Sequence, residues 1–408
     1  MPSVCLYFQV HQPHRLRKYS FFDIGHVHDY YDDIKNREIL QKIALKCYLP
    51  TNTILLQLIK QFEGRFKVAF SLSGTVIEQF KRFSPETLNS FKALVDTGCV
   101  EILNETYNHS LSAVFSKQSF IDEIKLHSDL IYNEFGYKAS TFRNTELIYN
   151  NDTAELVSSL GYKTMLAEGA DKILAWRSPN FLYQAHTKNP MNLLLKNYRL
   201  SDDIAFRFSN KEWAEYPLTA DKFSTWAHAV DGAGDIINLF MDYETFGEHQ
   251  WSDTGIFQFL EHLPAKILAH PQFDFCLPCE VASKYPPLAT LDIPSFYSWA
   301  DTERDLTAWT GNDMQQDAFQ TIYELEKLVR AVDNRELEAT WRALLTSDHF
   351  YYMCTKWSAD GDVHKYFNHY DNPYDAYVNY QNIIKDFRLS LNNHLETQKK
   401  AVIEETVE

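Results

Sequence analysis

The chain of 408 residues carries 39 basic and 55 acidic side chains, a net charge of −16. With 45% hydrophobic and 23% charged residues it has the composition of a globular protein with a sizeable core. Its acidity and lack of a basic stripe argue against nucleic acid or an anionic membrane as partner and suit a neutral ligand.

Met1-Pro2-Ser3 leads directly into the first apolar run, Val4–His11. No basic leader with a cleavage site is read there, and no run approaches the ~20 apolar residues of a membrane span. Together with six scattered cysteines this predicts a cytoplasmic protein with reduced thiols. Further β-like runs follow at Lys67–Leu72, Cys99–Asn104, Ser140–Thr145, Lys163–Ala167, Leu193–Leu200 and Ile236–Asp242. They are nearly continuous apolar segments, as strands covered on both faces should be. Amphipathic stretches lie between them: Asn52–Phe62, Pro85–Thr97, Gln118–Phe135 and Asp152–Leu160. The alternation predicts a parallel α/β barrel or a doubly wound sheet. No glycine-rich phosphate loop follows the first strand, which weakens the nucleotide-binding version.

Cys276 and Cys279 form a lone Cys-x-x-Cys after the short run Phe273–Leu277. A structural zinc site needs a second pair of ligands, so small apolar packing is the expectation and no metal is assigned. Beyond residue 290 the texture becomes helical, at Gln315–Val332, Glu336–Leu345 and Tyr377–Gln398, around an irregular loop at Trp357–Pro373. The expected division is a barrel over residues 1–290 and a helical module over 291–408 that contributes to the active-site cleft.

In a parallel barrel chemistry collects at the C-terminal ends of strands. There the sequence places His11-Gln12-Pro13, Asn104-Glu105, Asn144-Thr145-Glu146, Asp202-Asp203 and Asp242-Tyr243-Glu244, with Glu101 inside the third run. Single carboxylates at such places often cap the next helix. Several on one rim repel one another unless they bind or react with something. A carboxylate pair without an evident metal cluster fits glycoside hydrolysis, in which one acid protonates the leaving oxygen and the other attacks carbon or activates water.

These residues resemble a known family. His11-Gln12-Pro13, Gly98–Leu103 with Glu101, Arg143–Tyr149 with Glu146, Phe240–Gly247 with Asp242, and Leu345–Phe350 with Asp348 are similar, in order, to the five motifs of glycoside hydrolase family fifty-seven. The resemblance implies a (β/α)7 barrel followed by a C-terminal helical domain. It implies retaining α-amylase-like cleavage of α-1,4-glucosidic bonds in α-glucans or malto-oligosaccharides, without cofactor or metal. Glu146 would be the nucleophile and Asp242 the general acid/base, its pKa raised by Glu244 and other nearby acids. His11, Glu101, Glu244 and Asp348 would hold the sugar, and Trp176, Trp226 and Trp309 are candidate stacking surfaces. Three places depart from the pattern. Gln9 stands where many members have a second His, Asn104–His109 replaces a glycine-rich continuation, and Tyr351-Tyr352-Met353 alters the fifth motif.

Other readings stay open at this point. A 4-α-glucanotransferase or branching enzyme shares the first half-reaction. An inactive carbohydrate-binding relative would keep the cleft without turnover. A metal-dependent deacetylase or α-mannosidase would need a ligand cluster, for which His26 and His28 are spaced differently. The chain is also compatible with a homo-oligomer.

Overall fold

The computed structural model describes residues 2–356 and 368–407, with side chains described to residue 400. Most of the expected irregular loop at Trp357–Pro373 lies outside the described residues. The strands are β1 (Ser3–Val10), β2 (Val68–Leu72), β3 (Val100–Ile102), β4 (Thr141–Arg143), β5 (Thr164–Glu168), β6 (Tyr183–Ala185), β7 (Asn192–Lys196), β8 (Ile236–Asp242), β9 (Asp274–Phe275) and β10 (Thr290–Leu291). Among the described residues no helix is long and apolar enough to cross a membrane.

The chain falls into two compact units. The first comprises residues 1–12, 37–107 and 122–299. In it β3-β2-β1-β8 form one parallel sheet, and β4, β5 and β7 form a second. A bridge from Asn104 to Phe142 joins β3 to β4. At the other seam the Asn197 N–H donates to the Asn238 carbonyl at 2.8 Å, and Asn238 Nδ2 donates to Leu195 O at 2.9 Å. Strands β1, β2, β3, β4, β5, β7 and β8 therefore close a ring, the seven-stranded barrel the motifs implied. β6 lies antiparallel beside β7, β10 pairs with β6, and β9 pairs with the start of β1.

Period-two alternation makes every strand two-faced. Val4, Leu6, Phe8 and Val10 point outward and pack with Phe70, Phe80, Phe91 and Tyr243 against the surrounding helices. Cys5 and Tyr7 point inward with Ala69, Leu103, Leu166, Leu194 and Phe240. Both faces are covered, which is why the strand sequences read as unbroken apolar runs. The ring of Phe70 has Phe8, Phe91 and Tyr243 within 5.0–5.6 Å.

The expected elements are present with shifted ends. Leu193–Leu200 divides into β7 and the helix Tyr198–Ala205, because Asn197 Oδ1 accepts the Leu200 N–H at 3.1 Å and starts a helix there. The helix read from Asp152 begins one residue earlier, since Asn150 is its cap and accepts from Thr153 at 2.9 Å. Cys276 and Cys279 have no disulfide, and burial pushes the Cys276 thiol up to about 12. A thiol held neutral is a poor nucleophile.

The second unit comprises residues 13–36, 108–121 and 300–408. Pro13–Asn36 and Asn108–Ile121 thus group with the C-terminal helices rather than with the barrel as a cut at residue 290 would have them. Its helices include Asp313–Glu324, Glu326–Val332, Arg335–Leu344, Ser347–Tyr351 and Pro373–Val407. The single helix read over Gln315–Val332 is broken at Leu325. Asp386 ties this unit together, accepting from the Gly25 N–H at 2.7 Å and from Tyr30 at 2.6 Å, with His28 Nδ1 at 2.8 Å.

Candidate active site

The inward face of the barrel changes character within one alternation. Tyr7 lies beside Ala69 and Phe240 in an apolar layer. The next inward residue, Gln9, lies beside Ser71 and Asp242, and across the ring Glu168 lies beside Lys196. Polar side chains thus occupy the C-terminal end of the ring, where barrels carry chemistry. Most of them are buried, including Gln9, Ser71, Glu105, Arg143, Glu168 and Lys196. His11, Glu146 and Asp242 are the partly exposed ones.

Glu146 follows β4 in a single tight turn, Thr145–Leu147. Its φ is 55° and that of Leu147 is 51°, so two successive non-glycine residues occupy the left-handed region. Each such residue costs about 1–2 kcal/mol. The surrounding contacts hold the turn there. Asn144 Nδ2 donates to Ile148 O at 2.9 Å, and the Tyr149 and Tyr297 backbones pair at 3.0 and 3.1 Å. That ladder delivers Trp299, whose N–H donates to the Glu146 carbonyl at 3.2 Å and whose Nε1 donates to Glu146 Oε2 at 2.7 Å. Two cations face the Trp299 ring, Arg143 at 5.0 Å and Lys196 at 5.1 Å. Lys196 pairs with Asp202 at 2.9 Å and lies 3.8 Å from Glu168. The buried guanidinium of Arg143 has no hydrogen-bond partner at any of its three nitrogens among the described residues.

Asp242 ends β8 and is followed by the turn Tyr243–Thr245. Glu244 in that turn is 5% exposed, accepts from Tyr48 Oη, and takes a second donor from Gln12 Nε2 at 3.2 Å. Burial first, and the charge of Asp242 second, push its carboxyl up to about 8. Tyr48 comes from the π-type stretch Ala44–Tyr48, a winding often used to re-aim a side chain at a functional site. Gly247 ends the loop at φ 112°, and a methyl there would stand 2.1 Å from the Lys46 carbonyl oxygen. Only glycine fits that approach.

Just after β1 the His11 ring is oriented by Ser73 Oγ at 2.7 Å and Thr75 Oγ1 at 3.3 Å from Nδ1. Gln9 Nε2 donates to Glu105 Oε1 at 3.0 Å. Burial raises the phenol of Tyr7, so it stays protonated and donates to Gln9 Oε1 at 2.8 Å. Burial likewise keeps His127 neutral. Its Nε2 donates to Leu72 O at 2.7 Å, and Nδ1 receives the Glu105 N–H at 3.3 Å.

The profile of Glycosyl hydrolase family 57 matches residues 5–294. The chain belongs to that family. A protein of Methanocaldococcus jannaschii that carries an α-amylase name is 45% identical over 93% of this chain and 83% of its own length. The α-amylase of Pyrococcus furiosus is 21% identical over 64% of this chain and 39% of its own length. In fold, the family 57 branching enzyme of Thermococcus kodakaraensis superposes with a TM-score of 0.65 at 12% identity, over 90% of this chain and 88% of that one. The 4-α-glucanotransferase of Thermococcus litoralis gives 0.64 at 15% identity, over 86% of this chain and 56% of that one.

Within this family 57 chain, several of the residues expected to hold the sugar are buried or packed on neighbours. Glu101 is fully buried beside Ala69 in β3, and its Oε2 accepts the Cys279 N–H at 2.8 Å. It belongs to the layer below the rim, and burial raises its pKa. Glu244 faces Tyr48 and Gln12 rather than solvent. Trp226 packs edge-on against Trp213 at 6.1 Å, outside the ring with the helices. Trp309 is 2% exposed in the second unit and packs on Tyr351. Trp309 is thus closed to a ligand, while Trp226 is partly exposed. Trp176 is 88% exposed, with Arg177 over its ring. Asp348 lies on the helix Ser347–Tyr351 of the second unit.

Sequence reading missed Glu105 as a tie to Gln9, and it missed Arg143, Lys196 and Trp299. The two cations had a usable signal, being single basic residues in otherwise apolar strands, where a partner or a function is required. Trp299 had none, since a long-range ladder brings it in.

Proposed function

We propose that this chain cleaves α-1,4-glucosidic bonds in α-glucans or malto-oligosaccharides with retention of configuration. The observation that carries the reading is the pair of partly exposed carboxyls, Glu146 and Asp242, at the ends of β4 and β8 in a barrel whose other rim residues are mostly buried. The α-amylase name of the 45% identical relative supports hydrolysis. The six free cysteines suit a reducing, cytoplasmic compartment.

Glu146 attacks the anomeric carbon as the bond to the leaving oxygen breaks, and the proton of Asp242 goes to that oxygen. Water then gives a proton to Asp242 and its oxygen to the anomeric carbon, which releases Glu146. Buried Glu244 stays protonated near neutral pH, so it adds no second charge beside Asp242. His11, with its ring held by Ser73, is placed to bind a sugar hydroxyl.

Maltoheptaose tests the proposal. Wild type should yield shorter oligosaccharides with the α-anomer released first, and Glu146→Ala and Asp242→Ala should each abolish turnover. Longer products would assign a 4-α-glucanotransferase, and new α-1,6 linkages a branching enzyme. Unchanged turnover in either variant would sink the assignment.

A further inference from the structure

Trp299 contacts Glu146 twice, through its backbone N–H to the Glu146 carbonyl and through Nε1 to Oε2 at 2.7 Å. The same residue therefore grips both ends of a glutamate in the left-handed region. An indole N–H is a donor only, so this bond is made to an oxygen lone pair and sets the plane of the carboxyl. The ring is not a bystander in an apolar pocket. It packs on the barrel interior, with Arg143 at 5.0 Å and Lys196 at 5.1 Å from its centroid. Cations on a π-face draw electron density from the ring and strengthen its N–H as a donor.

Arg143 makes a structural explanation of this cluster inadequate. Its side chain is fully buried, yet Nε and both Nη atoms lack hydrogen-bond partners among the described residues. A buried cation without paired donors is destabilising, and an apolar residue of similar size would pack the strand better. What Arg143 does contact is the face of Trp299.

We propose that Trp299, backed by Arg143 and Lys196, is the positioning residue of the nucleophile: it fixes the Glu146 carboxylate in the attacking plane before substrate arrives. The proposal rests on Glu146 being the nucleophile. Pre-orientation of this kind lowers the barrier to the first step without changing how tightly the sugar binds.

The test is Trp299→Phe, which keeps an aromatic ring beside the cations and removes the N–H. On maltoheptaose kcat should fall about 100-fold, the loss expected for a misaligned reacting group, while KM stays within about two-fold. Formation of the covalent intermediate from a 5-fluoroglucosyl fluoride, followed by mass spectrometry, should slow by a similar factor. Arg143→Met should slow the same step about 10-fold with the ring still present. An unchanged kcat in Trp299→Phe with the melting temperature retained would overturn the proposal, as would a rise in KM without a fall in kcat. Intermediate trapping on Glu146 separates the two readings. If wild type labels elsewhere, the nucleophile assignment fails. If Glu146 labels equally fast in both proteins, only the positioning role fails.

Discussion

The side-chain amide of Gln9 donates to Glu105 at 3.0 Å, while its carbonyl accepts from Ser71 at 2.7 Å and from Tyr7 at 2.8 Å. One neutral side chain thereby ties β1, β2 and the end of β3 directly beneath the rim. Two of the departures noted in the sequence, Gln9 and the segment that holds Glu105, are thus bonded to each other.

Gln9→Leu removes the shared acceptor of Tyr7 and Ser71. Tyr7 and Ser71 can then pair only with each other, and the one buried hydroxyl proton left without an acceptor costs about 1–3 kcal/mol. Urea unfolding should show a lowered midpoint with an unchanged slope. A stability equal to wild type would mean that the tie contributes nothing.

Glu101→Gln should be nearly silent in catalysis, with kcat/KM within about three-fold of wild type on malto-oligosaccharides. The carboxyl lies in the lower layer and accepts the Cys279 N–H, a bond that an amide oxygen can also take. A loss of several orders of magnitude would return Glu101 to the sugar-binding set.

Glu244 predicts a pH slope in stability. Its folded pKa is about 8, above its ordinary value of 4.5. Unfolded chains therefore lose this proton at lower pH than folded ones. The stability it contributes is fully present below pH 4.5 and is lost as pH rises towards about 8. Glu244→Gln should flatten that part of the stability–pH curve. Denaturant midpoints between pH 5 and 9 in both proteins make the comparison, and parallel curves would refute it.

Gly247→Ala should disable the loop after Asp242. The added methyl meets the Lys46 carbonyl at 2.1 Å, and the φ of 112° is unfavourable for any residue with a side chain. Glucan hydrolysis should fall at least about 10-fold together with a drop in melting temperature, because the clash displaces the segment that carries Glu244. Full activity would show that the Lys46 helix can retreat.

The barrel was largely legible because its strands are covered on both faces and read as apolar runs, and because polar residues cluster at their C-terminal ends. Short β6 and β10 were not legible; two or three residues carry no period. Glu146 and Asp242 stood out as strand-end acids. The depth of Glu101 was not legible, because its motif placement says nothing about which inward layer it occupies, and that depends on the register Ala69–Glu101. Trp226 and Trp309 look no different in sequence from Trp299. The distinction comes from which backbone each is laid against, a ladder from Tyr297 to Tyr149 in one case and helix packing in the others.

The seams of the ring have a consequence for how it breathes. At β3–β4 the closure passes through Asn104, whose side-chain amide donates to Tyr162 Oη and to Ile124 O at 3.3 Å, and at β7–β8 through Asn197 and Asn238. Extended ladders join the remaining neighbours, whereas these junctions rest on a few bonds each. Amide exchange is therefore expected to enter the barrel first along these asparagine edges, at either side of β4 to β7. Glu146 lies within that stretch and Asp242 outside it. Their spacing is thus as firm as two asparagine junctions, and loss of either one would be felt across the whole mouth of the barrel.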